Sequence, residues 1–179
     1  MNKKLLILDR DGVINQDRDD YVKSADEWQA IPGALQAMAR ARQAGWIVTI
    51  ASNQSGLGRG LFDEAALHAM HEKMRQGIEV FDGRIDSIFY CPHSPDDNCD
   101  CRKPKPGLLH QIARHYGSDL THAVFIGDSL KDIQTAQAVN AKPVLVRTGK
   151  GAKTESLLSD NTVPVFDDLP AAITHLLSA

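Results

Sequence analysis

The first apolar run, Leu5-Leu6-Ile7-Leu8, stops after four residues, and no later run is long enough to span a bilayer. Lys3-Lys4 ahead of it faintly resembles the start of a signal peptide, but the run is too short and ends in charge, so secretion is not expected. Cysteine is scarce. All three fall between Cys91 and Cys101, which excludes a distributed disulfide framework and points to a local site in a reducing, cytoplasmic setting. A strong excess of either charge is also missing. The formal net charge of -3 gives no support for a nucleic-acid partner or an anionic membrane surface. Linkers, low-complexity runs and internal repeats are absent too. With 42% hydrophobic residues, the chain has the material for one compact domain over residues 1–179, expected as a monomer.

What is present is a regular alternation of short apolar runs with helical periodicity. Runs at Leu5–Leu8, Trp46–Ala51, Asp86–Tyr90, Ala123–Ile126, Pro143–Val146 and Val163–Phe166 read as strands. Helices are expected from Pro32-Gly33 to about Ala44, Asp63 to Val80, Gly107 to Tyr116, Leu130 to Val139 and Leu169 to Leu177. In the second of these, Leu67, Met70, Met74 and Ile78 form a core stripe, and His68 and His71 read as surface residues. Strands alternating with helices predict a Rossmann-like, three-layer α/β fold: a parallel sheet covered by helices on both faces.

In such a sheet, ligands bind beyond the carboxyl ends of the strands, and the polar residues collect there. The first strand delivers Asp9 and Asp11, which project to one side if the chain stays extended, with Arg10 between them pointing away. Gly12 allows a sharp turn after the acids. The second strand delivers Ser52, followed by Asn53, Gln54, Ser55 and Gly56, and the fourth delivers Asp128 with Asp132 one helical turn on. Lys103 precedes a helix in CRKPKPG. Three acids in one place need a cation, and hard oxygen donors suit Mg²⁺. A hydroxyl and a lysine beside that cation suit a phosphoryl group.

The segments LLILDRDGVIN, IASNQSG, RKPKPG and FIGDSLKDI, in this order, resemble the four motifs of the haloacid dehalogenase (HAD) superfamily of phosphatases. The resemblance implies that Asp9 is the nucleophile, that Asp11 is the general acid and then base, and that Ser52 and Lys103 hold the phosphoryl group. It also implies that Asp9, the Asp11 carbonyl and Asp128 bind Mg²⁺, with Asp132 in support. Members with a mobile cap insert it after the first or second motif, and no spare domain fits those intervals here. A capless core with an open site is expected.

The segment 91–104 carries Cys91, His93, Cys99 and Cys101, a soft donor set that suits a structural, tetrahedral Zn²⁺. Such a metal would pin the loop that aims Lys103. Within the superfamily, a capless core with this loop resembles the heptose bisphosphate phosphatases and the histidinol-phosphate phosphatases. NQSGLGRG, CDCRKPKPG and VLVRTGKG look more like the heptose group. That implies Mg²⁺-dependent hydrolysis of the 7-phosphate of a heptose 1,7-bisphosphate in nucleotide-heptose and lipopolysaccharide-core synthesis. A substrate with two phosphates needs further cations, for which Arg59, Arg102, Arg147 and Lys150 are candidates. Asp17 and Tyr21, at the substrate entrance, and Asn53, Gln54 and Ser55 are further candidate substrate-binding residues. The rival readings are a histidinol-phosphatase, a non-catalytic zinc or phosphosugar-binding module and, weakest, a phosphomutase.

Overall fold

The computed structural model describes residues 3–179. Six parallel strands form one sheet in the order β3-β2-β1-β4-β5-β6. They are β1 (Leu5–Leu8), β2 (Ile47–Asn53), β3 (Ser87–Cys91), β4 (Val124–Gly127), β5 (Lys142–Val146) and β6 (Val165–Phe166). Both neighbours of β1 are level with it: Leu8 sits opposite Ile50 of β2 and Ile126 of β4. The three strands therefore run side by side to one edge, where β1 ends at Leu8, β4 at Gly127 and β2 at Asn53. The strand order reverses between β1 and β4, which is where an open α/β sheet leaves a crevice.

The alternation of side chains along β1 divides the core. Leu6 and Leu8 pack on the face covered by α1 (Ala34–Gln43), α3 (Glu64–Glu79) and α7 (Leu169–Ser178). Leu5 and Ile7 pack on the other face with Leu108, Leu109 and Ile112 of α4 (Gly107–Tyr116) and Ala136 of α5 (Leu130–Ala138). Every residue of β1 and β4 is buried, as a strand enclosed on both faces requires. Asp63 caps α3 by accepting from the Ala66 amide, and Gly117 ends α4 in the left-handed region. Among the described residues no helix is long and apolar enough to cross a membrane.

Two short helices, α2 (Ser55–Gly58) and α6 (Gly151–Glu155), occupy segments for which the sequence predicts no helix. Both are glycine-containing single turns held by neighbours rather than by propensity. Two side chains depart from expectation. His71 is buried, at 6% exposure, and packs near the Tyr90 ring instead of facing solvent. It lies four residues after Leu67 and three before Met74, so it belongs to the stripe it was separated from. Arg10 does not point away from the acids but is wholly buried beside them. The strand ends at Leu8, and the amides of Val13, Ile14 and Asn15 all turn back onto the Arg10 carbonyl, so the alternation of an extended chain no longer applies.

Candidate active site

The edge beyond β1, β2 and β4 opens into a cleft of about 460 Å³. Asp9 follows β1, with its amide bonded to the Ile126 carbonyl of β4. Its Oδ1 accepts from the Arg10 amide at 2.8 Å and lies 3.0 Å from Lys103 Nζ. Asp9, Asp128 and Asp132 offer carboxylate oxygens within 4.8 Å of one another. Burial, and then the charges of Asp132, Asp128 and Asp11, raise the Asp9 carboxyl well above its usual range against the opposing pull of Lys103. Burial and Asp132 push Asp128 up to about 7. Carboxylates that raise one another's proton affinity form an anionic donor set, and hard oxygen donors of this kind fit Mg²⁺.

The two acids of the last motif are placed differently. Asp132 has both oxygens engaged: Oδ1 takes Lys103 Nζ at 2.7 Å, and Oδ2 takes the amides of Asp128 and Ser129 and the Ser129 hydroxyl. Asp128 has one oxygen, Oδ2, held by the Lys150 amide at 2.9 Å. The RTGKG segment presses onto this point. Thr148 donates to the Gly12 carbonyl, Thr154 donates to the Asp128 carbonyl, and a Cβ added at Gly12 would overlap the Asp128 carboxylate. Gly12 itself sits at φ 82°.

Lys103 is 2% exposed and also donates to the Ala51 carbonyl at 2.8 Å. Burial opposes its charge, but Asp132 and Asp9 outweigh burial and hold it protonated. Its backbone is gripped by one side chain. Asn53 Oδ1 accepts from the Lys103 amide at 3.0 Å, and Asn53 Nδ2 donates to the Lys103 carbonyl at 3.1 Å. Asn53 thus fixes the lysine's position as well as lining the cleft. Ser52 lies at the end of β2, buried beneath the cleft lining, and its hydroxyl accepts from Gln54 Nε2 at 2.7 Å.

Asp11 is set apart from Asp9. Burial would raise its carboxyl, yet Arg10, Asn15 and Gln54 together hold it below the usual range. The rim of the cleft carries Asp17, Tyr21, Gln54, Ser55, Arg102 and Lys150 from the sequence reading. Arg59 and Arg147 fall outside that lining. Arg59 is exposed, and Arg147 is engaged by Glu155 and Asp167. The sequence reading missed Asn15, Ser129 and Lys131 as parts of the site. Lys131 was the findable one, since it lies three residues after Asp128 at the start of a helix; burial and the nearby Arg102 and Lys150 depress its ammonium. Arg102 buries Nη1 with no hydrogen-bond partner.

Beside this edge, the four soft donors converge. Cys91 Sγ lies 3.1 Å from Cys101 Sγ and 3.5 Å from Cys99 Sγ, and His93 Nδ1 lies 3.3 Å from Cys101 Sγ. The edge of a tetrahedron built on a Zn–S bond of about 2.3 Å is about 3.8 Å; the sulfur separations of 3.1, 3.5 and 3.7 Å lie inside it, a cluster compatible with a closed Cys₃His zinc site. Gly58 packs against Pro92 and Ser94 of this loop, where a Cβ would collide with their backbones.

Residues 100–172 match the model of the HAD-hydrolase-like family. The chain is 53% identical to the D-glycero-beta-D-manno-heptose-1,7-bisphosphate 7-phosphatase of Pseudomonas aeruginosa over 177 residues, covering 99% of each chain. It is 38% identical to the enzyme of that name from Escherichia coli, covering 94% of this chain and 92% of that one. The crystal structure of the B. bronchiseptica D,D-heptose 1,7-bisphosphate phosphatase, complexed with magnesium and phosphate, superposes with a TM-score of 0.95 at 52% identity and covers 98% of each chain.

Proposed function

The chain belongs to the D-glycero-beta-D-manno-heptose-1,7-bisphosphate 7-phosphatase family of HAD-like hydrolases, and from that membership we propose that it is a Mg²⁺-dependent phosphatase removing the 7-phosphate of the β-anomer. The reading carries with it a role in nucleotide-heptose synthesis for lipopolysaccharide core. One observation supports the chemistry above all: Asp9, Asp11, Lys103 and Asp128 converge in a single cleft from three separate segments.

In this reading Asp9 attacks phosphorus through Oδ2, since both of its polar contacts fall on Oδ1. The bond from phosphorus to the sugar oxygen breaks, and Asp11, which carries its proton only when the charge of the bound phosphate offsets the pull of Arg10, Asn15 and Gln54, delivers it to that oxygen so that it leaves as a hydroxyl. Water then attacks the aspartyl-phosphate, its proton passes to Asp11, and inorganic phosphate departs from a restored Asp9. Lys103 and the Ser52 hydroxyl offer hydrogen bonds to the transferring group. The side chains of Asp9 and Asp128, with the Asp11 carbonyl, would hold Mg²⁺, whose chemistry there is to neutralise negative charge between nucleophile and phosphate. Asp132, with its oxygens filled, acts on Lys103. Arg102, Lys131 and Lys150 are suited to the second phosphate. Zn²⁺ on Cys91, His93, Cys99 and Cys101 would fix the loop from which Arg102 and Lys103 project. The proposal includes a cytoplasmic location, supported by three cysteines free of disulfides.

The test is steady-state phosphate release with Mg²⁺ from the β-heptose 1,7-bisphosphate and from histidinol phosphate. A kcat/KM at least about 100-fold higher on the bisphosphate is expected if the second phosphate is recognised. Faster turnover of histidinol phosphate would overturn the substrate assignment, and no release from either would overturn the enzyme itself.

A further inference from the structure

Arg10 has no place in the reaction just described, yet it is one of the most buried residues in the protein and carries a full charge. Its guanidinium meets one carboxylate among the described residues, that of Asp11. Nη2 lies 2.9 Å and Nε 3.3 Å from Asp11 Oδ1, while Nη1 reaches only the Met70 sulfur at 3.8 Å, a weak acceptor. The buried His71 beside it is held neutral, so no second cation intrudes.

The contacts on Asp11 are unequal between its oxygens. Oδ1 takes Arg10 Nη2, Arg10 Nε and, at 2.9 Å, Asn15 Nδ2. Three donors crowd an oxygen that has two lone pairs, which makes Oδ1 the less able of the two to take up a proton. Oδ2 takes Gln54 Nε2 at 3.0 Å and a longer contact of 3.2 Å from Arg10 Nη2. Gln54 is shared with Ser52, to which it lies closer, at 2.7 Å. It can therefore keep a partner when Oδ2 carries a proton. Asn15 presents its amide to Asp11 while its own Oδ1 stays buried without a partner, an arrangement that stability alone does not favour.

The geometry points to Arg10, together with Asn15, as a positioning residue for proton transfer: gripping Asp11 Oδ1 presents Oδ2 to the cleft as the oxygen that exchanges a proton with the substrate. An arginine suits this because its planar fork fixes a direction, where the point charge of a lysine fixes only a distance. The inference rests on the proposed phosphatase reading, in which Asp11 is the general acid.

The experiment compares two substrates in Arg10→Gln. The sugar ester leaves as an alkoxide and needs the proton. 4-Nitrophenyl phosphate leaves as a stable phenolate and does not. Because kcat/KM reports the steps up to transfer onto Asp9, it isolates the acid role of Asp11. A loss of about 100-fold is expected on the heptose bisphosphate and less than about 5-fold on the aryl ester. Equal losses on both substrates in a protein that melts normally would overturn the proposal, as would no loss or a gain on the sugar ester. Asn15→Ala strands no buried charge; it should show the same selective loss and decides the matter if Arg10→Gln does not fold. Asp11→Asn serves as the control. If Asp11→Asn shows the selective loss and the Arg10 and Asn15 variants do not, only the positioning role fails. If Asp11→Asn cleaves the sugar ester as fast as wild type, the assignment of Asp11 fails, and the role of Arg10 with it.

Discussion

Lowering the pH should destabilise this protein through His71, and the effect can be isolated by substitution. The imidazole sits on the inner face of α3 at 6% exposure, with Nε2 buried and unpartnered. Burial first, then the neighbouring charges of Arg10, Arg75 and His68, hold its pKa down to about 3 from the ordinary 6.5, with only Asp11 pulling the other way. At pH 7.5 the ring is neutral in both folded and unfolded chains. As the pH falls through 6.5, the unfolded chain takes up a proton that the folded chain refuses until about pH 3. The unfolded state therefore gains, and stability falls with pH across that window. Each unit of separation is worth about 1.4 kcal/mol, so at pH 5 the loss from this one group is about 2 kcal/mol. Urea melts of wild type and His71→Leu at pH 7.5 and pH 5 read it directly, because other titrating groups are common to both proteins. The wild type should lose about 2 kcal/mol more than the variant over that interval. A gap between the two proteins that stays constant with pH would refute the reasoning, and would mean that the ring protonates freely inside the fold.

Further outcomes concern two glycines and the zinc. Gly12→Ala should lower kcat/KM about 100-fold and weaken the Mg²⁺ dependence of activity, because the Cβ would displace the Asp128 carboxylate at a backbone already at φ 82°. Gly117→Ala, at φ 60° with open space around it, should cost only about 1–2 kcal/mol of strain and leave the kinetics unchanged; identical behaviour of the two variants would sink the argument. Purified protein should contain one zinc per chain by metal analysis. Stripping that zinc and then restoring saturating Mg²⁺ should lower the Tm by about 10 °C or more and abolish activity until zinc is returned, whereas an unaltered melt and rate after chelation would remove zinc from the account.

The strands and most helices of this fold are legible in the sequence because they rest on local rules. A four-residue aliphatic run such as Leu5–Leu8 is buried wherever it lies in a parallel sheet, and Gly117 ends a helix whatever the helix packs against. The short turns α2 and α6 were not legible, since four or five residues carry no period of their own. His71 was legible in principle, being in step with Leu67 and Met74, but the polarity of its type outweighed its position.

The site divides along the same line. That Asp9, Asp11, Ser52 and Asp128 meet follows from their places at the ends of runs in an alternating α/β pattern, Lys103 joins them from the segment that leads into α4, and the four soft donors are close because they share one short segment. What each group does toward its neighbours was decided by distances across the chain. Asn53, read as a substrate contact, clamps the backbone of a residue fifty positions away. Arg147 is drawn off by Glu155 and Asp167, and Thr148 closes the RTGKG segment onto Gly12 from 136 residues away. Arg10 was misjudged because its direction depends on where β1 lets go of the extended state, and tertiary pairing sets that point. The sequence alone determined which chemical groups gather at the sheet edge, because strand ends are a local property. Only the fold decided which carboxylate oxygens are held and which are left open, because that depends on hydrogen-bond donors arriving from distant segments.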